Sequence, residues 1–109
     1  MAGRVERGDI RLFRFPPPDK PRPVLVLTRM SALGYLSRVT VAPITSAVRD
    51  VPSEVLLGPD DGMKLPCAVN LHNVVTVRRD ALGRRLGHLP QDRMREVCAA
   101  LAFALGCDG

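Results

Sequence analysis

Pro21-Arg22-Pro23-Val24-Leu25-Val26-Leu27-Thr28 is the stretch around which the rest of the chain organises itself. Val24-Leu25-Val26-Leu27 offers no polar side to water, so Pro23–Thr28 reads as a strand buried on both faces and central in its sheet. Upstream, Asp9–Phe15 nearly alternates: Ile10, Leu12 and Phe13 are apolar, with Arg11 and Arg14 between, as in a half-buried strand. It stops at Pro16-Pro17-Pro18, which cannot donate to a ladder, and the loop Pro16–Pro21 carries Asp19 and Lys20 into solvent. Downstream, a polar connection around Ser31–Ser37 leads to a strand over Arg38–Ile44, expected to end or bulge at Pro43. Ser53–Leu57 follows and is closed by the turn Gly58-Pro59-Asp60-Asp61-Gly62. Cys67–Leu71 and Val74–Val77 are separated by the polar pair His72-Asn73, and Arg84–Leu89 is a last short strand.

From Gln91 the period changes. Met94, Val97, Cys98, Leu101, Ala104 and Leu105 recur at the spacing of one helix face, while Arg93, Arg95 and Glu96 face outward. Pro90 fits the first turn and Gly106 the position just past the end. The expectation is mainly β with a C-terminal helix (α+β): strands over about 9–89, a helix over about 91–105. A small, strongly bent antiparallel sheet or barrel would have one open side covered by the helix.

The 109 residues match one domain, and a chain of this size buries a modest core without staples. Hydrophobic residues make up 46% and charged residues 25%, which fits a globular protein, and no apolar run approaches membrane-spanning length. The N-terminus has no apolar stretch after its first arginine, so it is not read as a secretory signal and the cytoplasm is expected. Cys67, Cys98 and Cys107 are too widely spaced for a zinc site, and Cys98 is placed on the apolar helix face as a small hydrophobe. The net charge of +5 is carried mostly by arginine, whose guanidinium suits a polyanionic partner. One Tyr, three Phe and no Trp argue against a platform that works by stacking bases.

Several motifs then fall in one order: Arg7-Gly8-Asp9-Ile10, Pro21-Arg22-Pro23-Val24-Leu25-Val26-Leu27, and Val41-Ala42-Pro43-Ile44-Thr45-Ser46. Ser53-Glu54-Val55, Asn70-Leu71-His72-Asn73-Val74 and Leu86-Gly87-His88-Leu89 follow. In that order they resemble the MazF/PemK toxins of type II toxin–antitoxin systems, from roughly Gly8 to Leu105. The resemblance implies an SH3-like barrel of the MazF/CcdB toxin type, a homodimer, and sequence-selective cleavage of single-stranded RNA that needs no metal or cofactor. It also implies a cognate antitoxin whose disordered, often acidic segment covers the RNA groove.

Metal-independent cleavage uses the ribose 2′-hydroxyl as nucleophile and leaves a 2′,3′-cyclic phosphate. The enzyme must take up that proton, neutralise charge on the phosphoryl oxygens and assist the leaving 5′-oxygen. By the resemblance, Arg22 and Thr45 stand at the catalytic positions. Arg22 suits an electrostatic clamp, since a guanidinium is a poor base but a good donor. Thr45 would donate its hydroxyl, with Ser46 assisting. Arg22 also reads as an exposed strand-start arginine, and Thr45 as a turn residue bonding its own backbone. His72 departs from the family, where many members carry an acid followed by an amide. It would serve as general base or acid, or would contact a base of the RNA beside Asn73. His88 reads as structural. Lys20, Arg78 and Arg79 are candidates for gripping phosphate.

Three other readings compete. A gyrase-poisoning toxin on the same fold would not need Arg22 and Thr45, and it relies on aromatic residues at a chain end that here is Leu105-Gly106-Cys107-Asp108-Gly109. A non-catalytic SH3-like RNA-binding module explains the charge but not the motif order. A degenerate toxin would keep the fold and lose the chemistry through His72.

Overall fold

The computed structural model describes residues 4–108. Residues 1–3, which open the segment read above as no secretory signal, and residue 109 of the chain end lie outside the described residues.

β1 (Asp9–Arg14) and β2 (Pro21–Val26) form an antiparallel pair in which Ile10 faces Leu25 and Arg14 faces Pro21. β3 (Arg38–Thr45) pairs with the other side of β2, Val24 facing Pro43 and Val26 facing Val41. β2 is central and buried on both faces, as the apolar run predicts. Leu25 and Leu27 enter one core cluster with Ile10, Ile44, Val69 and Leu71. Val24 and Val26 enter another with Leu33, Val39, Val41 and Leu82.

β2 nevertheless begins at Pro21, two residues before the expected start. The Gly8 amide reaches the Val26 carbonyl and the Leu27 amide reaches the Thr40 carbonyl, both at 2.9 Å. Even residues of β2 therefore address β1 and odd residues address β3. Pro21 and Pro23 are odd and lie outside the β3-paired stretch, so no donor is missed. The same alternation corrects the expectation at Pro43, where β3 does not stop. The missing N–H points away from β2, at the junction where β6 (Val75–Arg78) has ended opposite Val41 and β5 (Cys67–Asn70) begins opposite Ile44.

This change of partner along β3 bends the sheet. β4 (Glu54–Leu57) lies beyond β5, β7 (Arg85–His88) lies on β1, and the order is β4-β5-β3-β2-β1-β7 with β6 attached to β3. The result is a half-barrel closed by a helix. A short helix α1 (Met30–Leu33), absent from the sequence reading, places Leu33 under the second core cluster. His72-Asn73 belongs to a single 3-10 turn, Leu71–Asn73, between β5 and β6.

The C-terminal helix α2 (Gln91–Leu105) packs on β4 and the 71–73 turn. Pro90 is its cap rather than part of its first turn, and Gly106 ends it at φ +75°. Its buried residues are Met94, Val97 and Ala100, while Cys98 and Leu105 are exposed. Cys98 is thus corrected from core to flank, where the Arg7 guanidinium meets its Sγ at 3.0 Å. Arg93 is corrected too: its Nε donates to Asp61 at 3.1 Å, tying α2 to the 58–62 turn. No helix among the described residues is long and apolar enough to cross a membrane.

A further correction concerns β1. Asp9 and Arg11 are both buried, at 0% and 2% exposure, so the polar half of the alternation faces an internal ion pair. Just before it, Gly8 holds φ +93°, and a Cβ there would sit 2.9 Å from the Leu89 carbonyl oxygen. That close approach lets the Leu89 amide bond the Gly8 carbonyl at 2.9 Å, joining the helix entry to β1. Gly8→Ala meets both a disfavoured φ and a backbone clash, so it should cost about 1–3 kcal/mol. The urea midpoint reads this directly; an unchanged midpoint would show that the Leu89 contact is dispensable.

Candidate functional site

Period-two alternation puts Arg22 on the β2 face shared by Val24 and Val26, and puts Pro43 and Thr45 on the β3 face shared by Val39 and Val41. Beyond the end of that core cluster the two strands leave an open groove of about 840 Å³. Arg22 and Thr45 line it, together with His72 and Asn73 from the 3-10 turn and Asp19 from the proline loop. Arg49, Glu54 and Asn70 complete its polar wall, and Phe15, Val74 and Val75 give it apolar floor.

Thr45 ends β3, and its Oγ1 accepts the Ala47 amide at 3.0 Å. The turn role read from sequence is therefore real, yet it uses the oxygen and leaves the hydroxyl proton as a donor. Glu54 organises the following loop: its Oε1 accepts the amides of Arg49 at 3.0 Å and Asp50 at 2.9 Å. Asp50 takes φ +56° there, and the folded loop delivers Arg49 to the groove. Asn70 Oδ1 accepts the His72 amide at 3.2 Å and so caps the 71–73 turn. His72 Nδ1 lies 2.5 Å from the Oγ of Ser53, which is buried at 8% exposure.

Lys20 and Ser46 are exposed in loops adjoining the groove but do not line it. Arg78 and Arg79 sit elsewhere. Arg78 faces Arg38 across the β3–β6 ladder, and alternation along β3 sets Arg38 on the face opposite Thr45. Arg78 is ion-paired with Asp80 at 2.9 Å, which holds the Asp80 carboxyl below its ordinary value. The Arg79 guanidinium donates to the Leu33 carbonyl, fastening α1. Those two arginines line a separate depression with Ser37, Arg38 and Asp80.

Sequence reasoning gave no role to the groove residues Arg49, Glu54 and Asn70, nor to Ser53, which is buried behind His72. Ser53-Glu54 and Asn70 did stand inside quoted motifs. Arg49 carries no local signal, because only the loop fold brings it to the groove.

A second titratable cluster forms away from the groove. Asp9 Oδ2 accepts the Glu6 amide at 3.0 Å and the Arg11 Nε at 3.2 Å, and Oδ1 meets His88 Nδ1 at 2.8 Å. Burial pushes the Asp9 carboxyl up, but His88, the Glu6 amide and Arg11 together hold it below its ordinary value. His88 thus has the structural role expected of it.

Comparison with known proteins adds a history to this geometry. Residues 6–105 match a family model described as PemK-like, MazF-like toxin of type II toxin–antitoxin system. A Mycobacterium tuberculosis protein named probable endoribonuclease MazF5 is 45% identical over 87 residues, covering 79% of this chain and 80% of that one. The solved Mycobacterium tuberculosis toxin MazF-mt6 superposes with a TM-score of 0.83 at 35% identity, covering 93% of this chain and 99% of its own. An endoribonuclease from a mycobacterial species, solved with its cognate antitoxin, gives a TM-score of 0.82 at 27% identity, covering 94% and 95%.

Proposed function

The chain belongs to the PemK-like, MazF-like toxin family of type II toxin–antitoxin systems, and on that premise we propose that Arg22 and Thr45 carry its chemistry. Its activity is that of an endoribonuclease, the toxin half of such a pair. The substrate is single-stranded RNA laid along the groove. The ribose 2′-oxygen attacks the adjacent phosphorus, the P–O5′ bond breaks, and a 2′,3′-cyclic phosphate remains.

Arg22 holds the non-bridging oxygens as negative charge gathers on them, and the Thr45 hydroxyl donates to one of them. A guanidinium matches two phosphoryl oxygens at once and stays charged at any working pH. Lys20 and Ser46 meet flanking nucleotides from the loops at the rim, and Asn73 offers donors and acceptors to a base edge. Arg78 and Arg79, on another face, have no part in the scissile step. The observation that carries this reading is the convergence of Arg22, Thr45, His72 and Asn73, from three separate elements, on one open groove.

The partner in the resting cell is an antitoxin whose acidic segment occupies the same groove, where Arg22 and Arg49 offer it cations, and the active toxin is a cytoplasmic homodimer. Exposed Phe103 and Leu105 on α2 supply apolar surface for that association. The gyrase reading gives Arg22 and Thr45 no task, and the binding-module reading gives no reason for both donors to line one groove.

The test is cleavage of a mixed RNA pool by the purified protein in excess EDTA. Cuts at a short recurring sequence, ending in cyclic phosphate, are expected. RNA that is bound and left intact would replace the enzyme with the binding module.

A further inference from the structure

Arg22 and Thr45 are both donors, so the groove as described still lacks the group that takes the 2′-hydroxyl proton. A guanidinium is too weak a base for that task at neutral pH. The charged or titratable side chains facing the groove are Asp19, Arg22, Arg49, Glu54 and His72. Glu54 is already engaged, its Oε1 accepting two backbone amides that shape the loop. Asp19 belongs to the exposed proline loop. His72 is held differently. Its backbone is fixed by Asn70 at 3.2 Å, and its Nδ1 is fixed at 2.5 Å by a buried serine hydroxyl. One ring nitrogen is thereby committed to the protein, and the other, Nε2, is the atom left to meet the substrate.

We propose that His72 is the general base of the cleavage step and that Ser53 is its positioning residue; this rests on the endoribonuclease reading above. Ser53 Oγ accepts the Nδ1 proton and so fixes the tautomer whose Nε2 carries a lone pair. Nε2 takes the 2′-hydroxyl proton as the O2′–P bond forms and the P–O5′ bond breaks. The departing 5′-oxygen takes a proton from water in the open groove. The imidazolium then returns its proton to the hydroxide left behind, so the cycle closes without net change in the enzyme.

The experiment is the pH–rate profile of RNA cleavage by the full chain, His72→Ala, His72→Gln and Ser53→Ala. The unaltered chain should lose activity as pH falls, because a base must be unprotonated to act. Both His72 variants should be slower by about a hundredfold at neutral pH. They should lack that limb, and added imidazole should restore part of the rate to His72→Ala. Ser53→Ala should lower kcat with KM unchanged.

His72 is exposed, so its two variants keep the fold and each of their results counts. A limb that survives in both His72 variants would assign the proton to Glu54 or Asp19 and overturn the proposal, while cleavage itself upholds the enzyme. A chain that never cuts RNA overturns both.

Discussion

Arg22→Ala should cleave RNA about 10³–10⁵-fold more slowly than the unaltered chain, the range lost when an arginine is removed from a phosphoryl-transfer transition state. The size follows from what the guanidinium does. The scissile phosphate carries one negative charge in the ground state and gains more as the fifth bond forms, so a fixed cation gains strength just where the barrier lies. Arg22 costs little to remove structurally: its side chain is exposed near the start of β2, and its backbone pairing with Phe13 of β1 survives the change to alanine.

Arg22→Lys should recover only a fraction of the rate, since an ammonium is a point charge without the two-pronged geometry. Thr45→Ala should lose about 10²-fold, and Thr45→Ser should recover most of it because the hydroxyl returns. Single-turnover cleavage beside circular dichroism is the decisive measurement. Folded Arg22→Ala that cuts within tenfold of the unaltered rate would remove Arg22 from the mechanism.

The largest effect on stability is expected at Asp9→Asn. This carboxylate has no access to water, and it accepts from the Glu6 amide, Arg11 and His88, with Arg85 a further 3.5 Å ion pair. An amide in its place turns one acceptor into a donor aimed at donors and leaves the Arg11 charge without its counter-ion. Breaking a buried pair from one side costs about 3–5 kcal/mol, a large share of the total for a domain of this size.

The same site predicts a pH dependence. The folded carboxyl titrates below the ordinary aspartate value of 3.8, so the unfolded chain binds the proton first as pH falls. The contribution is complete above that value and is lost as pH drops through the lower folded value. Urea unfolding of both proteins from pH 7 to pH 3 should show a wide gap in midpoint that narrows only below pH 4. Equal midpoints at pH 7 would mean that the Asp9 cluster is not what joins β1 to β7.

The departures from the sequence reading share one cause. Arg11 looks like the outward member of an alternating strand, and only the arrival of Asp9, Gly83 and the Arg4 carbonyl around it makes burial tolerable. Cys98 and Ala100 are both small and apolar enough for the inner face of α2. The narrow support under that helix, β4 and the 71–73 turn, decides that Ala100 is inside. Pro43 looks like a strand terminator until its missing donor is seen to fall where β3 exchanges β6 for β5.

By itself the sequence determined the central strand, the order of short strands and the closing helix. These depend on the period of apolar residues, and local chemistry is enough to set them; Arg22, Thr45 and His72 were singled out by motifs shared with a family, not by period. Only the tertiary structure decided which polar groups meet. Arg49 and Glu54 reach the groove, Ser53 reaches the ring of His72, and Arg78 and Arg79 turn to another face. Such contacts are made by side chains distant in sequence, and their geometry exists only after the sheet has bent around β3.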